Sequence, residues 1–339
     1  MTAVLETRSL AVGHGKRVVL GGIDVRVAPG EVVFLLGSNG IGKSTLLRTL
    51  ARTQPPLAGS ILIENRDIAR MPRHDLARAV AIVLTERVAV GAMPAYRLVE
   101  LGRYPHVGWS GSLTDRDRAV VQGAIDAVGA GSLAHRDIGE LSDGERQRIM
   151  IARALAQEPA LLLLDEPAAF LDIAARVETI ATLRRLARGT GVGIVLSSHD
   201  LDLSLRAADT IWLLDGAGCL RIGAPEDLLA DGSLAAAFSG PAVRFDDAAR
   251  GFRLREEPLG TAFVEGAPDA AALARSVLER EGFGPAASAA RADAIVSVTG
   301  TGWAAQAGTA AGHGEKFASL AVFLRALAKT IGDGGISTP

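Results

Sequence analysis

A short apolar run followed at once by a glycine-rich segment is the feature that most restricts how this chain can fold. Residues Val32 to Leu36 are all apolar and read as a buried strand, and residues 37–44 read GSNGIGKS, which matches G-x-x-x-x-G-K-[ST]. Glycines let the backbone turn tightly enough to aim several N–H groups at a polyphosphate, and a helix that starts near Lys43 adds its positive dipole end. The pattern therefore predicts a phosphate-binding loop between a strand and a helix.

This loop predicts a nucleoside triphosphate as the ligand. Lys43 can reach the β- and γ-phosphates of such a nucleotide, and the Ser44 hydroxyl can bind Mg²⁺. The residues expected to contact the nucleotide are consecutive in the chain: Gly37, Ser38, Asn39, Gly40, Ile41, Gly42, Lys43, Ser44 and Thr45.

A second apolar run ends in two carboxylates. Residues 160–164 read ALLLL and are followed by Asp165 and Glu166. A buried parallel strand presents such groups at its carboxyl end, which is the edge of a sheet where ligands bind. We expect Asp165 to hold Mg²⁺, directly or through water, and Glu166 to polarise the attacking water.

A third segment carries a family resemblance. Residues 141–147 read LSDGERQ and precede a helical stretch at 148–157, with Ser142 placed as a helix N-cap. The segment resembles the signature of the ABC-transporter ATPases, whose usual form is L-S-G-G-Q. In that family the signature helix of one subunit faces the γ-phosphate held by the other subunit. The resemblance implies that Ser142 and Gly144 contact ATP, while Asp143 stands where glycine is usual.

The resemblance covers roughly residues 3 to 245 and includes two further landmarks. Residues 168–172 read AAFLD and resemble the D-loop, so that Asp172 is expected at a dimer interface with the nucleotide. Residues 195–200 read VLSSHD and resemble the strand that ends in the switch histidine. The resemblance implies that His199 contacts the γ-phosphate and the catalytic water, and that the protein hydrolyses ATP with Mg²⁺ as a homodimer.

Two positions depart from the family pattern. Glu86 follows the apolar run at 81–84, where the family usually has the glutamine of the Q-loop. Its carboxylate is expected to bind Mg²⁺ or water, although an ionised carboxylate cannot donate a hydrogen bond. His14 lies where the family usually has an aromatic residue that stacks on adenine. The imidazole can stack in the same way, and an exposed turn histidine is the alternative.

The spacing of the landmarks favours a transport ATPase. The stretch from Lys43 to Leu141 is too short for the coiled-coil insertion of chromosome-maintenance ATPases, and a single phosphate loop argues against the translation-associated members. Residues 96–109 contain G-R-Y-P-H and resemble the entry to the helical subdomain in ATPases of iron-siderophore, haem and cobalamin importers. The implied partners are integral membrane permease subunits and an extracytoplasmic substrate-binding protein that acts through the permease. Tyr104 and Trp109 either meet a coupling helix of the permease or are ordinary packing or surface residues.

A soluble regulatory ATPase that binds an effector through its tail is the competing hypothesis. Composition does not distinguish a regulatory ATPase from an importer ATPase, but it argues against other classes of protein. The chain has 36 Lys and Arg against 38 Asp and Glu, so no basic surface for nucleic acid is expected. No apolar run is long enough for a membrane span, the N-terminus does not read as a signal peptide, and Cys219 has no second cysteine to pair with. We therefore expect a peripheral protein at the cytoplasmic face of the membrane, attached through a permease.

The predicted fold is α/β: an ABC-type P-loop ATPase at 1–245, with an antiparallel β-subdomain and a helical signature subdomain at about 90–158. Residues 246–339 are predicted to form a small C-terminal α/β extension. Its expected strands lie at 259–264 and 294–299, and its expected helices at 269–281 and 315–329. The glycine-rich segment at 299–303 is either an anion cradle or a flexible loop between a strand and a helix.

Overall fold

The computed structural model describes residues 3–85, 93–108, 111–216, 218–239, 243–246, 251–254, 260–292, 294–299, 302–307, 315–317 and 322. The chain divides into two compact units, Met1–Arg253 and Leu254–Pro339. Within these residues no helix is long and apolar enough to cross a lipid bilayer.

The first unit alternates strands and helices. Its strands, in chain order, are β1 (Leu5–His14), β2 (Arg17–Ile23), β3 (Arg26–Val27), β4 (Val32–Leu36), β5 (Ala58–Ile63), β6 (Arg66–Asp67), β7 (Val80–Val83), β8 (Leu161–Leu164), β9 (Gly193–Ser197), β10 (Thr210–Leu214), β11 (Leu220–Gly223) and β12 (Val243–Asp246), with β13 (Gly251–Leu254) at the division. Its helices are α1 (Lys43–Leu50), α2 (Arg73–Ala79), α3 (Ala95–Glu100), α4 (Asp115–Ala127), α5 (Asp143–Leu155), α6 (Ile173–Thr190), α7 (Leu201–Ala207), α8 (Pro225–Ala230) and α9 (Ser233–Phe238), with 3-10 helices at Leu101–His106, Gly131–Leu133 and Ile138–Glu140.

The central sheet has the strand order β11-β10-β4-β9-β8-β7 and is parallel except for β11. Side chains alternate along β4, so that Phe34 and Leu36 enter one hydrophobic core while Val33 and Leu35 enter another. A sheet that is covered on both faces needs apolar residues at every position, which explains the continuous apolar runs of the sequence. The predicted strand at 32–36 is confirmed residue for residue, and the apolar run at 160–164 forms β8 from Leu161 onward.

An antiparallel sheet covers one face of the central sheet. In it β1 pairs with β2, β3 and β5, and β5 pairs with β6. Leu10 and Val12 of β1, Ile61 of β5, and Leu46 and Leu47 of α1 belong to the core shared with the central sheet. The predicted combination of a parallel core with an antiparallel sheet near the N-terminus is confirmed.

The other face of the central sheet carries a layer of helices that includes α3, α4 and α5. The N-terminus of α5 is set by a capping box between Ser142 and Glu145, so this helix begins five residues before the predicted stretch at 148–157. Gly102, in the 3-10 helix, allows close contact with α5, because a Cβ atom there would lie 2.1 Å from the Arg153 carbonyl oxygen.

A buried arginine joins these helices. The side chain of Arg103 is 3% exposed and pairs with Asp117 of α4 at 2.9 Å. It also donates to the Ala156 carbonyl oxygen at 2.8 Å and to Glu158 at 2.7 Å, both just after α5. Hydrogen bonds from Thr114, together with the Arg103 guanidinium, lower the pKa of Asp117 to about 2. Since Arg103 is the arginine of G-R-Y-P-H, this motif has a structural role inside the helical layer.

The second unit is a mixed sheet of order β15-β14-β16-β17-β18. Its elements are β14 (Gly260–Gly266), α10 (Pro268–Arg280), β15 (Phe283–Pro285), a 3-10 helix (Ala289–Arg291), β16 (Ala294–Thr299), β17 (Gly302–Ala307) and β18 (Glu315–Phe317). Helix α10 packs on β14 and β16 through a small core that includes Leu278, Val264 and Val296.

Two predictions for the second unit are wrong. Residues 315–317 are not helical, because they pair as β18 with β17. The segment at 299–303 does not lead from a strand into a helix, because Thr299 and Gly302 are paired partners at the end of an antiparallel hairpin. The predicted strands at 259–264 and 294–299 and the helix at 269–281 are confirmed, within one or two residues at their ends. The rest of the predicted helix at 318–329, apart from residue 322, lies outside the described residues.

The buried pairing of Arg103 yields a stability prediction. Replacing Arg103 by Ala leaves the buried Asp117 carboxylate without its cation and removes the link to the end of α5. We expect the free energy of unfolding to fall by about 3–5 kcal/mol, measured by equilibrium denaturation at pH 7. Arg97→Ala is the matched control, because Arg97 pairs with Glu100 through a side chain that is 69% exposed. Equal losses in the two variants would contradict the structural role of Arg103.

Candidate functional site

The phosphate loop connects β4 to α1, and glycine is required at its two ends. Gly37 and Gly42 have φ angles of 152° and 116°. A Cβ atom on Gly37 would lie 2.9 Å from the Leu214 carbonyl oxygen, and one on Gly42 would lie 2.7 Å from a Val19 methyl group. Both the backbone conformation and the close packing therefore exclude larger residues.

Lys43 folds back over this loop. Its side-chain ammonium donates to the carbonyl oxygens of Gly37 at 2.8 Å and Ser38 at 3.1 Å. Burial lowers the pKa of Lys43, and the nearby carboxylates of Glu166 and Asp165 oppose that shift. The structure thus brings the predicted lysine and the two predicted carboxylates into one site.

Asp165 and Glu166 are both hydrogen-bonded to Ser197, a residue for which the sequence predicted no role. The Ser197 hydroxyl, at the end of β9, donates to Asp165 Oδ1 at 2.8 Å. The Ser197 hydroxyl oxygen in turn accepts a hydrogen bond from the Glu166 backbone N–H at 2.8 Å. Ser197 is fully buried. Its position at the end of β9, next to the strand that leads into Asp165, is the sequence feature that could have predicted this contact.

Glu166 has an unusual backbone conformation. Its φ angle of 49° lies in the left-handed region, which costs a residue with a side chain about 1–2 kcal/mol. A hydrogen bond contributes a comparable free energy, about 0.5–1.5 kcal/mol. The bond from the Glu166 N–H to Ser197 can therefore offset much of the cost of this backbone conformation. The Glu166 carboxylate pairs with Nε2 of His199, so these two predicted site residues are in direct contact.

An arginine links the loop that contains His199 to the start of α6. Arg176 donates to Asp200 Oδ2 at 2.9 Å and to the Leu171 carbonyl oxygen at 3.3 Å. Asp200 in turn caps α7 by accepting from the Leu203 N–H at 3.0 Å. Arg176 was not identified from the sequence, because nothing in the pattern relates it to residues on another loop.

The remaining predicted contacts lie in a separate groove. This groove has a volume of about 540 Å³ and is lined by residues at the N-termini of α5 and α6, including Ser142, Gly144 and Asp172, but by no residue of the phosphate loop. Asp172 caps α6 by accepting from the Ala175 N–H at 2.8 Å. Asp143 is the first residue of α5, where its negative charge interacts favourably with the positive end of the helix dipole. The predicted site residues therefore form two groups within one chain.

Two further predicted residues, His14 and Glu86, belong to neither group. His14 ends β1 with an exposed side chain, and its Nε2 lies 3.2 Å from the Thr45 hydroxyl on α1. Glu86 lies outside the described residues, as does Trp109. Thr85, directly before Glu86, donates its hydroxyl to the Asp165 carbonyl oxygen at 2.7 Å.

The residues present fit a nucleotide with Mg²⁺. The loop offers backbone N–H groups and the Lys43 ammonium to phosphate oxygens, while the Ser44 hydroxyl and the Asp165 carboxylate are hard oxygen ligands. Among the described residues no group of three or more His, Cys, Asp or Glu side chains could hold a metal. Mg²⁺ characteristically binds through one or two carboxylates, with waters and substrate phosphates completing its shell, so this sparse set suits it.

Comparison with known proteins places the chain in a family. Residues 20–169 match the ABC transporter family model. An uncharacterized ABC transporter ATP-binding protein of Methanocaldococcus jannaschii is 42% identical over 226 residues, which are 67% of this chain and 78% of the relative. The achromobactin transport ATP-binding protein of Dickeya dadantii is 38% identical, over 68% of this chain and 85% of the relative.

Other relatives are named for the import of petrobactin, hemin or cobalamin. Among solved structures, a chain described as part of a metal-chelate type ABC transporter in an inward-facing conformation has a TM-score of 0.61 and 27% identity, and the match covers 70% of this chain and 89% of that one. The chain belongs to the family of ABC transporter ATP-binding proteins.

Proposed function

We propose that this protein is the ATP-hydrolysing subunit of an ABC importer for an iron-siderophore, haem, cobalamin or related metal chelate. The observation that carries the proposal is the meeting of Lys43, Asp165, Glu166 and His199 at the carboxyl edge of the central sheet. The names of the relatives favour import over the regulatory alternative. We assign the ATPase activity to residues 1–245.

The chain's own groups account for binding and for activation of water. The phosphate loop and Lys43 bind the triphosphate, and Ser44 and Asp165, with Glu86 as a further ligand to Mg²⁺ or water, hold the metal. Mg²⁺, when bound, neutralises charge on the β- and γ-phosphate oxygens. Glu166 accepts a hydrogen bond from the attacking water, and His199 orients the Glu166 carboxylate through their direct contact. His14, next to α1, stacks on the adenine base.

A second copy of the chain completes the site in this proposal. The groove at the N-termini of α5 and α6 contains Ser142, Gly144 and Asp172 but no residue of the chain's own phosphate loop. These three residues are therefore available to the nucleotide bound by a partner copy. On the first turns of α6, Ile173 and Val177 are 80% and 50% exposed. These two side chains lie one helical turn apart, and packing against a second copy would bury them.

The helical layer is the expected contact for the permease. A cleft of about 780 Å³ between α3, the 3-10 helix after it and the start of α4 is lined by both apolar and polar side chains, and the polar and aromatic ones include Tyr96, Arg97, Glu100, Tyr104 and Arg118. We infer that a cytoplasmic segment of the permease binds here and that an extracytoplasmic substrate-binding protein delivers the chelate to the permease. The ATPase is then a peripheral protein at the cytoplasmic face of the membrane.

Loss of Lys43 tests the nucleotide site. We expect Lys43→Ala to weaken ATP binding and to lower kcat by about 100-fold or more, because the cation at the transferred phosphate is removed. Steady-state hydrolysis and equilibrium binding of a fluorescent ATP analogue measure the two effects. Lys16→Ala is the control, since Lys16 is exposed in the turn after β1. Hydrolysis by Lys43→Ala at the wild-type rate would contradict the proposed nucleotide site.

Replacing Glu166 by Gln separates binding from hydrolysis. We expect ATP binding to persist, hydrolysis to fall by about 100-fold or more, and an ATP-bound dimer to accumulate, detected by light scattering with Mg-ATP. Glu64→Gln is a matched control, because Glu64 has a similar φ angle of 48° in an exposed turn. A Glu166→Gln protein that stays monomeric with saturating Mg-ATP would contradict the two-copy arrangement.

The transport role is tested by the membrane partner. We expect the full-length protein to purify from membranes with a polytopic permease, and its ATPase activity in proteoliposomes to rise when a metal chelate and its binding protein are added. Ferric siderophores, haem and cobalamin form the panel of chelates. Release of an active ATPase free of any membrane protein, with activity controlled by a soluble effector, would instead support the regulatory alternative.

A further inference from the structure

We propose that Ser197 is a positioning residue whose single hydroxyl group fixes the Asp165 carboxylate and the Glu166 backbone at the catalytic centre. This inference rests on the proposed ATPase function. Ser197 is the last residue of β9 and is fully buried, and the residues before it in the strand, Val195 and Leu196, face the two apolar cores. A hydroxyl in such surroundings is unfavourable unless it is hydrogen-bonded, so its two partners define its role.

The hydroxyl has one proton, and that proton is directed at Asp165. Asp165 Oδ1 accepts it at 2.8 Å, while the Asp165 main chain is held by separate bonds, from its N–H to the Val83 carbonyl oxygen at 2.8 Å and from Thr85 to its own carbonyl oxygen at 2.7 Å. The strand pairing therefore places the Asp165 backbone, and Ser197 orients its carboxylate. The second Asp165 oxygen receives no bond from Ser197, which leaves it available to a metal.

The lone pair of the same hydroxyl oxygen holds the next residue. The Glu166 N–H donates to Ser197 Oγ at 2.8 Å at the point where the Glu166 backbone adopts its left-handed conformation. That conformation directs the Glu166 side chain to His199. The three groups form a continuous chain of hydrogen bonds from the Glu166 amide through the Ser197 hydroxyl to Asp165, and each bond polarises the other.

This arrangement predicts a specific functional loss. Without the hydroxyl, the Glu166 amide and the Asp165 carboxylate each lose a partner, so both the base and the metal ligand become less well ordered. We expect Ser197→Ala to lower kcat by about 10- to 100-fold and to raise the Mg²⁺ concentration for half-maximal activity, as is usual when a residue that orients a metal ligand is removed. The KM for ATP should stay close to wild type, because the phosphate loop is unchanged.

A measurement without nucleotide tests the same inference independently of activity. In the nucleotide-free protein, hydrogen exchange of a peptide spanning 162–168 should show the Glu166 amide exchanging faster in Ser197→Ala, by up to about tenfold. Ser204→Ala is the matched control: Ser204 is also fully buried and lies in α7, but its hydroxyl donates to the carbonyl oxygen of Asp200, the N-cap of the same helix. Ser197→Thr, which keeps a hydroxyl, should restore most of kcat.

The outcomes separate this inference from the proposed function. If the wild-type protein does not hydrolyse ATP, the proposed function fails. If it does, and Ser197→Ala keeps kcat within twofold with the same Mg²⁺ dependence and the same exchange, the role of Ser197 fails alone. An equal loss in Ser204→Ala would also overturn it, since the effect would then be general to buried serines. If Ser197→Ala does not fold, the nearly isosteric Ser197→Cys, a much weaker donor, should show the same loss of kcat.

Discussion

The chemistry of this protein depends on a parallel sheet that is buried on both faces. Because apolar side chains fill the layers above and below β4, β8 and β9, polar groups can occupy only the places where these strands end. The three strands are neighbours, so the phosphate loop, the two carboxylates and the histidine meet at one edge. Strand pairing sets the positions of the main chain, and a few side-chain hydrogen bonds complete the orientation of these side chains.

The helical layer shows that one sequence pattern can combine an interior role with a proposed surface role. G-R-Y-P-H resembles a segment of importer ATPases that meets the permease, yet three of its residues serve the interior. Gly102 allows contact with α5, Arg103 is buried among α4 and the end of α5, and His106 Nε2 lies 2.8 Å from the Gln157 carbonyl oxygen. Tyr104, which is 66% exposed, remains available to a partner. The motif therefore fixes the shape of the surface that the permease is proposed to bind.

Patterns that act locally were predictable, and those that depend on distant partners were not. The glycine and lysine positions of the phosphate loop follow from short-range backbone rules, and the buried strands follow from their uniform apolarity. The contacts of Ser197 and Arg176 could not be predicted from local patterns, because their partners lie 31 and 24 residues away in sequence. Phe317 has apolar neighbours at helical spacing, yet β17 recruits it into a sheet, because pairing with an existing strand overrides local periodicity.

The left-handed backbone at Glu166 affects which substitutions at this position would raise the thermal stability of the protein. Glycine, and to a lesser degree asparagine, would adopt that conformation with less strain, so selection for thermostability alone favours replacing the glutamate. Any library screened only for folding would therefore enrich variants that lack the carboxylate next to His199. Under the role proposed for Glu166, stability and turnover are opposed at this one position, and a gain in melting temperature there would accompany a loss of catalysis.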